Sequence, residues 1–348
     1  MPNATVPQGD VRRVPALRRA AARAGHALRR HPGRTATLLL PVALLAVAVR
    51  LLAPPSAPDA TGTVVLATGG NKGVYFEYGR AMAALAGSEL DGVSARVQPT
   101  TGSVENIRGL AAGRFTVAFS ASDVAADAVR GRPPFTEPLP LQALGRIYDD
   151  YVHLVVPATS PARDLRGLRG LRVSLGSPGS GTEVVADRVL AAAGMTRSDV
   201  RERHLSLSDS ADALRAGELD GFFWSGGLPS AGVTELAAAV PIRLLPLGDA
   251  AERLRARFGA SYRTARMPTG SYQGVEPVDT IAIANYLLTR RDAPAALVEA
   301  LTRLLFDFRD ELARSVPLAA RLDRSAAIFT EPVPLHAGAE RYYRRVKA

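Results

Sequence analysis

Leu110-Ala111-Ala112-Gly113-Arg114-Phe115-Thr116-Val117-Ala118-Phe119 and Leu214-Arg215-Ala216-Gly217-Glu218-Leu219-Asp220-Gly221-Phe222-Phe223 stand far apart in the chain and read alike. Each ends a helix-like stretch on Ala-Gly and turns into a β-branched or aromatic run. Outward from these segments the same cycle appears twice: strand, Gly-rich loop, helix, strand, helix, strand. In the first cycle Thr63–Ala67, Val93–Pro99 and Phe115–Phe119 read as strands, and Tyr75–Leu85 and Ser103–Ala112 as helices. In the second, Arg172–Leu175, Arg203–Leu207 and Asp220–Trp224 read as strands, and Thr182–Ala193 and Ser208–Ala216 as helices, the latter with an N-cap serine. Between the cycles, Leu141–Tyr148 and His153–Val156 read as two strands flanking an exposed strand-end turn at Asp149-Asp150. Ile242–Leu245 follows as a strand, and Ala293–Ser315 as one long helical stretch with Pro294 near its first turn.

Alternating strands and helices imply a mainly parallel sheet covered by helices. The 348 residues suffice for roughly two domains. The expected architecture is a two-lobed α/β clamshell. Lobe 1 takes 62–150 together with about 275–348, and lobe 2 takes 151–274. In such sheets ligands sit outside the carboxyl ends of the strands, where the Gly-rich loops fall.

The net charge of +10 points first to nucleic acid, but its distribution argues otherwise. Residues 1–36 hold eight arginines against Asp10 alone, so +7 of the +10 lies there. An apolar run, 37–53, follows, and a basic tail before such a run is a membrane-orientation signal. Residues 1–36 are therefore expected as a basic cytoplasmic tail, 37–53 as a signal peptide or signal anchor, and 54–61 as a Pro-rich linker. The small-residue cleavage signal is poor, which favours an uncleaved anchor. The remaining +3 is too little for a phosphate-tracking surface, so no nucleic-acid partner is expected. There is no cysteine, which removes disulfides, thiolate metal sites and cysteine nucleophiles.

Three loops carry the expected binding chemistry. Thr68-Gly69-Gly70-Asn71-Lys72-Gly73-Val74-Tyr75 lets backbone amides approach a ligand before a helix begins. Lys72 there either adds a cation for an acidic ligand or points to solvent. Thr100-Thr101-Gly102-Ser103-Val104-Glu105-Asn106 places Ser103 as an N-cap, alone or with a binding role, and Asn106 one turn on. Gly176-Ser177-Pro178-Gly179-Ser180-Gly181-Thr182-Glu183 lacks the G-x-S-x-G elbow of a nucleophile, so its hydroxyls read as hydrogen-bonding groups. Phe222-Phe223-Trp224-Ser225-Gly226-Gly227 ends a strand with the single Trp, as a pocket wall or as core. Tyr272-Gln273-Gly274 is a weaker candidate.

Together these loops resemble the TAXI family of TRAP-transporter solute-binding proteins, over roughly residues 62–348. The resemblance implies a type II periplasmic-binding-protein fold and delivery of a small carboxylate or an amino acid such as glutamate to TRAP membrane permease subunits. By position it implies Gly70, Asn71, Gly73, Tyr75, Ser103, Asn106, Ser177, Gly179, Ser180, Thr182, Trp224 and Gly226 as the ligand-binding set. The solute is expected to be anionic or zwitterionic, with no cofactor, no metal and no catalytic residue. None of the five histidines stands beside a nucleophile or metal-ligand partner in sequence, and His153 reads as packed in a strand. A membrane-tethered ligand sensor is the first alternative, since the same fold on an anchor can report to a partner, and a hydrolase is the second, disfavoured by the missing elbow. A neighbouring permease gene favours transport and a neighbouring kinase gene favours sensing.

Overall fold

The structure is a computed structural model that describes residues 60–347. The basic tail (1–36), the apolar run (37–53) and most of the linker (54–61) lie outside the described residues. Among the described residues no helix is long and apolar enough to cross a membrane.

β1 (Gly62–Ala67) leads into α1 (Val74–Glu89), β2 (Val93–Gln98), α2 (Ser103–Ala111), β3 (Val117–Ala121) and α3 (Ser122–Arg130). β4 (Leu141–Pro157) then carries the chain across to β5 (Arg172–Ser174), α4 (Gly181–Ala192), β6 (Arg201–Arg203), α5 (Leu207–Arg215) and β7 (Gly221–Gly226). After these come α6 (Ala231–Ala239), β8 (Ile242–Leu244), α7 (Gly248–Phe258) and β9 (Tyr262–Arg266). β10 (Asp279–Arg290) brings the chain back, and α8 (Ala295–Asp307), α9 (Arg309–Ser315), α10 (Arg324–Ala327) and α11 (Ala337–Lys347) follow.

The strands form one sheet in the order β2-β1-β3-β10-β4-β7-β5-β6, with β8 also on β4 and β9 also on β10. The expectation of a mainly parallel sheet needs correction. Parallel pairs occur on each side (β1 with β2 and β3, β5 with β6 and β7), where strand–helix–strand units generate them. The centre is antiparallel, because β4 takes the chain over and β10 returns it.

Four further readings change. Asp149-Asp150 is not a turn: β4 is a single 17-residue strand that runs through it. Asp149 is held there by ion pairs with Arg146 and Arg263, so the ladder tolerates it. Asp279–Arg290, unassigned from sequence, is a central strand buried along nearly its whole length, which erases the in–out alternation that marks a surface strand. The long C-terminal helical stretch breaks at Phe308 into α8 and α9. The cap of α5 is Ser206 and not Ser208: its Oγ accepts from the Asp209 amide at 3.2 Å.

Period-two burial builds the core. Val64 and Leu66 of β1 enter one cluster with α1, α8 and α11, while Val65 and Ala67 enter another with α2 and α3. On β7, Phe222 joins a cluster with α5 and α6, while Phe223 joins the same cluster as Val65. One face of the sheet thus carries two separate apolar clusters, and the other face a continuous one.

The repeat read from sequence has a backbone counterpart. Gly113 and Gly217 adopt φ of 71° and 72°. The amide after each bonds back into its helix, Arg114 to the Gly109 carbonyl at 2.9 Å and Glu218 to the Ala213 carbonyl at 2.8 Å. Replacing either glycine by alanine is expected to destabilise by about 1–2 kcal/mol. Gly87→Ala, inside α1 with open space around the position, is expected to stabilise by about 0.5–1 kcal/mol. Urea unfolding of the three variants checks the contrast.

Candidate functional site

A cavity of about 340 Å³ lies where the carboxyl ends of β1, β2, β5, β6 and β7 converge. That is within the about 300–1,000 Å³ usual for small-molecule sites. Its walls are the loops entering α1, α2, α4 and α5, the end of β7, and Tyr148 and Asp150 of β4. Of the twelve residues expected to bind, ten line it: Gly70, Asn71, Gly73, Tyr75 and Ser103 from the β1–β3 side, and Ser177, Ser180, Thr182, Trp224 and Gly226 from the β5–β7 side.

Asn106 and Gly179 do not line it. Asn106 is fully buried. Its Nδ2 donates to the carbonyls of Thr68 (2.5 Å) and Phe119 (2.8 Å), and its Oδ1 accepts from the Thr100 hydroxyl at 2.7 Å. A side chain one turn into α2 points at the sheet, so it clamps two loops to β3. The Gly179 carbonyl accepts from the amides of Val104 (3.1 Å) and Glu105 (3.2 Å), closing the start of α2 from the opposite side of the cavity.

The capping reading of Ser103 also changes. Gly102 holds the N-cap position, with φ of 129°. Ser103 Oγ accepts instead from the Ala121 amide at 3.0 Å. Ser180 does cap its helix: its Oγ accepts from the Glu183 amide at 3.1 Å. Thr182 Oγ1 accepts from the Ser225 amide at 3.2 Å, tying the start of α4 to β7. The amides of Val74, Tyr75, Gly181 and Thr182 meet no acceptor among the described residues. They belong to the unsatisfied first turns of α1 and α4 and carry those helices' partial positive charge.

Trp224 is half-buried, and its ring reaches the loop before α1: a Cβ on Gly73 would stand 3.8 Å from Cη2. Gly226 lets the indole fold back over the strand, since a Cβ there would stand 2.4 Å from Nε1. The indole N–H donates to Ser230 Oγ at 2.8 Å. Behind it, the Tyr272 hydroxyl accepts from the Ser230 amide at 3.1 Å and contacts His153 Nε2 at 2.8 Å. His153 Nδ1 lies 2.8 Å from the Tyr151 carbonyl, so Nδ1 carries the proton and Nε2 accepts from Tyr272. Burial pushes the His153 imidazole down to about 4, which keeps it neutral. Tyr272 and His153 therefore brace the Trp224 wall and do not line the cavity. Lys72 stands at the rim, half-exposed, paired with Glu235 of α6 at 2.6 Å.

Sequence reasoning missed Asp150, Tyr148, Ser225 and Asn285. Asp150 lines the cavity and is only 4% exposed. Its Oδ2 accepts from the Ser225 hydroxyl at 3.2 Å, and its Oδ1 has no partner among the described residues. Burial pushes this carboxyl up to about 7. The Asn285 amide and the Ser225 hydroxyl pull it partly back, though the geometry of the Asn285 Nδ2 falls short of a hydrogen bond. The Tyr75 hydroxyl donates to Asn285 Oδ1 and fixes that side chain. The sequence signal was a charged residue inside an otherwise strand-length apolar stretch.

Two predictions follow from these placements. Between the ordinary carboxylate range and about pH 7, the native state holds a proton on Asp150 that the unfolded chain has lost. Native stability contributed there is present at low pH and lost as pH rises through about 7. Asp150→Asn is therefore expected to raise Tm at pH 8, with the gain shrinking towards pH 4, as differential scanning fluorimetry across pH will read. Asn106→Ala strips three buried hydrogen bonds and is expected to destabilise by about 2–3 kcal/mol in chemical unfolding.

Residues 66–346 match the NMT1-like family. A protein from Bordetella bronchiseptica RB50 is 16% identical, with 84% of this chain and 99% of that chain covered and a TM-score of 0.52. The periplasmic aliphatic sulphonate binding protein SsuA from Escherichia coli is 14% identical, with 82% and 90% covered and a TM-score of 0.44. The alkanesulfonate-binding protein SsuA from Xanthomonas axonopodis pv. citri, bound to MOPS, is 16% identical, with 82% and 84% covered and a TM-score of 0.43. At 16% identity the likeness to the Bordetella bronchiseptica protein is one of fold. The family match takes in both sides of the sheet and every loop around the cavity, and on that extent the chain belongs to the NMT1-like family.

Proposed function

We propose that the chain is an extracytoplasmic solute-binding protein that encloses a small carboxylate or amino acid between two lobes and catalyses no reaction. The observation that carries this reading is the cavity itself, whose walls come from both sides of a sheet joined by two long central strands. The lobes are 62–150 with about 275–348, and 151–274. A clamshell of this design recognises a ligand by enclosing it, and the free amides of α1 and α4 with the hydroxyls of Ser177 and Ser180 suit a carboxylate.

The finer assignment is delivery of the solute to TRAP membrane permease subunits, the solute in the family resembled being a small carboxylate or an amino acid such as glutamate. It rests on the order and spacing of the four loops. The apolar run 37–53 behind its basic tail supports export and retention at the membrane. That run also favours the second reading, a tethered sensor using the same cavity.

Thermal-shift screening of the full-length chain against carboxylates, amino acids, sulfonates and sugars is expected to find a stabilising solute. A panel without any stabiliser would overturn the reading. Ser180→Gly removes the cavity hydroxyl yet suits the N-cap. It is expected to weaken that solute several-fold in titration calorimetry while shifting Tm little.

A further inference from the structure

Resting on the solute-binding reading, we propose that Asp150 selects the ligand. The cavity then takes a solute carrying one protonated amine and one carboxylate, an amino acid with an uncharged side chain, ahead of dicarboxylates, sulfonates and acidic amino acids.

The first support is an unpaired acceptor. A buried carboxylate oxygen without a donor is costly unless a partner arrives. Asp150 Oδ1 is such an atom, on the wall of an otherwise uncharged interior, with the Asn285 amide nearby but outside bonding geometry. An ammonium group supplies both the donor and the opposite charge. Tyr75, Tyr148 and Trp224 also line the cavity, and aromatic rings attract a cation.

The second support is the charge balance. Lys72 is the one basic residue among those lining the cavity, and it sits at the rim engaged with Glu235. Arg146 and Arg263 are held by Asp149, whose side chain leaves β4 on the opposite face from Asp150. Arg188 is held by Asp123 and Asp127. No free cation among the described lining residues meets a second negative group. The first-turn amides of α1 and α4 can take one carboxylate through partial charges, and a further anion would face the Asp150 carboxylate.

The pH response follows. The groups that act on Asp150 are Tyr148 on its own strand, Tyr75 of α1, Asp123 of α3, Ser225 of β7 and Asn285 of β10, with Asp149 acting from the opposite face of β4. Burial holds both tyrosines well above their ordinary value, so they stay neutral at physiological pH. Asp149 and Asp123 are ion-paired with arginines. Burial pushes the Asp150 carboxyl up to about 7. The ammonium ligand needs it ionised, so apparent affinity is expected to rise about tenfold from pH 6 to pH 8, in step with the ionised fraction.

The test is calorimetry and thermal shift on the full-length chain with size-matched probes: L-glutamine, L-glutamate, glutarate and butanesulfonate, alongside the other neutral L-amino acids. A neutral amino acid is expected to bind at least tenfold more tightly than L-glutamate, with glutarate and butanesulfonate weaker still. Asp150→Asn is expected to weaken it at least tenfold and to flatten the pH dependence, while remaining folded with a Tm no lower than the parent at pH 8. Equal or tighter binding of glutarate or butanesulfonate overturns this proposal and leaves the solute-binding reading standing, as does unchanged amino-acid affinity in Asp150→Asn. Absence of binding by every solute class overturns both.

Discussion

The pairing of β4 with β10 is the constraint on which the rest depends. Over Leu141–Tyr151 and Ala282–Arg290 the two strands run antiparallel through the middle of the sheet, and each then continues into other pairings. β4 goes on to β7 and β8, and β10 reaches β3 and β9. The other strands join the sheet through β3 and β9 on β10 and through β7 and β8 on β4. A buried strand tolerates a register slip poorly, because a shift of one residue reverses which side chains face each core. The register is shifted between Asn285 and Tyr286 and again between Leu287 and Leu288. Such irregularities re-aim side chains beside functional sites. Asn285, at the first shift, is the residue that Tyr75 grips beside Asp150.

Around that spine the cavity is assembled from pieces that are individually ordinary: helix starts, a strand end and a folded-back indole. Their relative placement is held by a small number of side chains, most of which do not line the cavity. Asn106 ties two loops to β3, Thr182 ties α4 to β7, and Ser230 with Tyr272 and His153 supports Trp224. On the far face, Arg188 joins α3 and β9 through Asp123, Asp127 and the Tyr262 hydroxyl. This polar seam lies against the continuous apolar cluster, and its groups are almost wholly buried. A buried ion pair of this kind serves geometry more than stability.

The loops were legible because glycine and serine between a strand and a helix have few other uses, and ten of the residues they nominated surround the cavity. Asn106 and Gly179 were misplaced for a physical reason. Spacing along a helix or loop says which end a residue is near, and not which way its polar atoms turn. Asp150 was missed because a pair of acids reads as a break in a strand. Only the three-dimensional fold shows that Asp149 meets arginines on one face while Asp150 turns inward on the other. β10 escaped notice because burial on both faces leaves no period to read, and the antiparallel centre followed it into obscurity.

The Gly179 carbonyl has a consequence for how many anions the cavity can accept. Four helices begin around it, and each start is a potential seat for negative charge. By lodging its oxygen against the Val104 and Glu105 amides, Gly179 fills the seat at α2 from within the protein. A change in that loop that withdrew the oxygen would add a vacancy without adding a single charged residue. The anion valence of the site is thus set by a backbone atom, out of reach of side-chain substitution, and a relative could alter it through loop length alone.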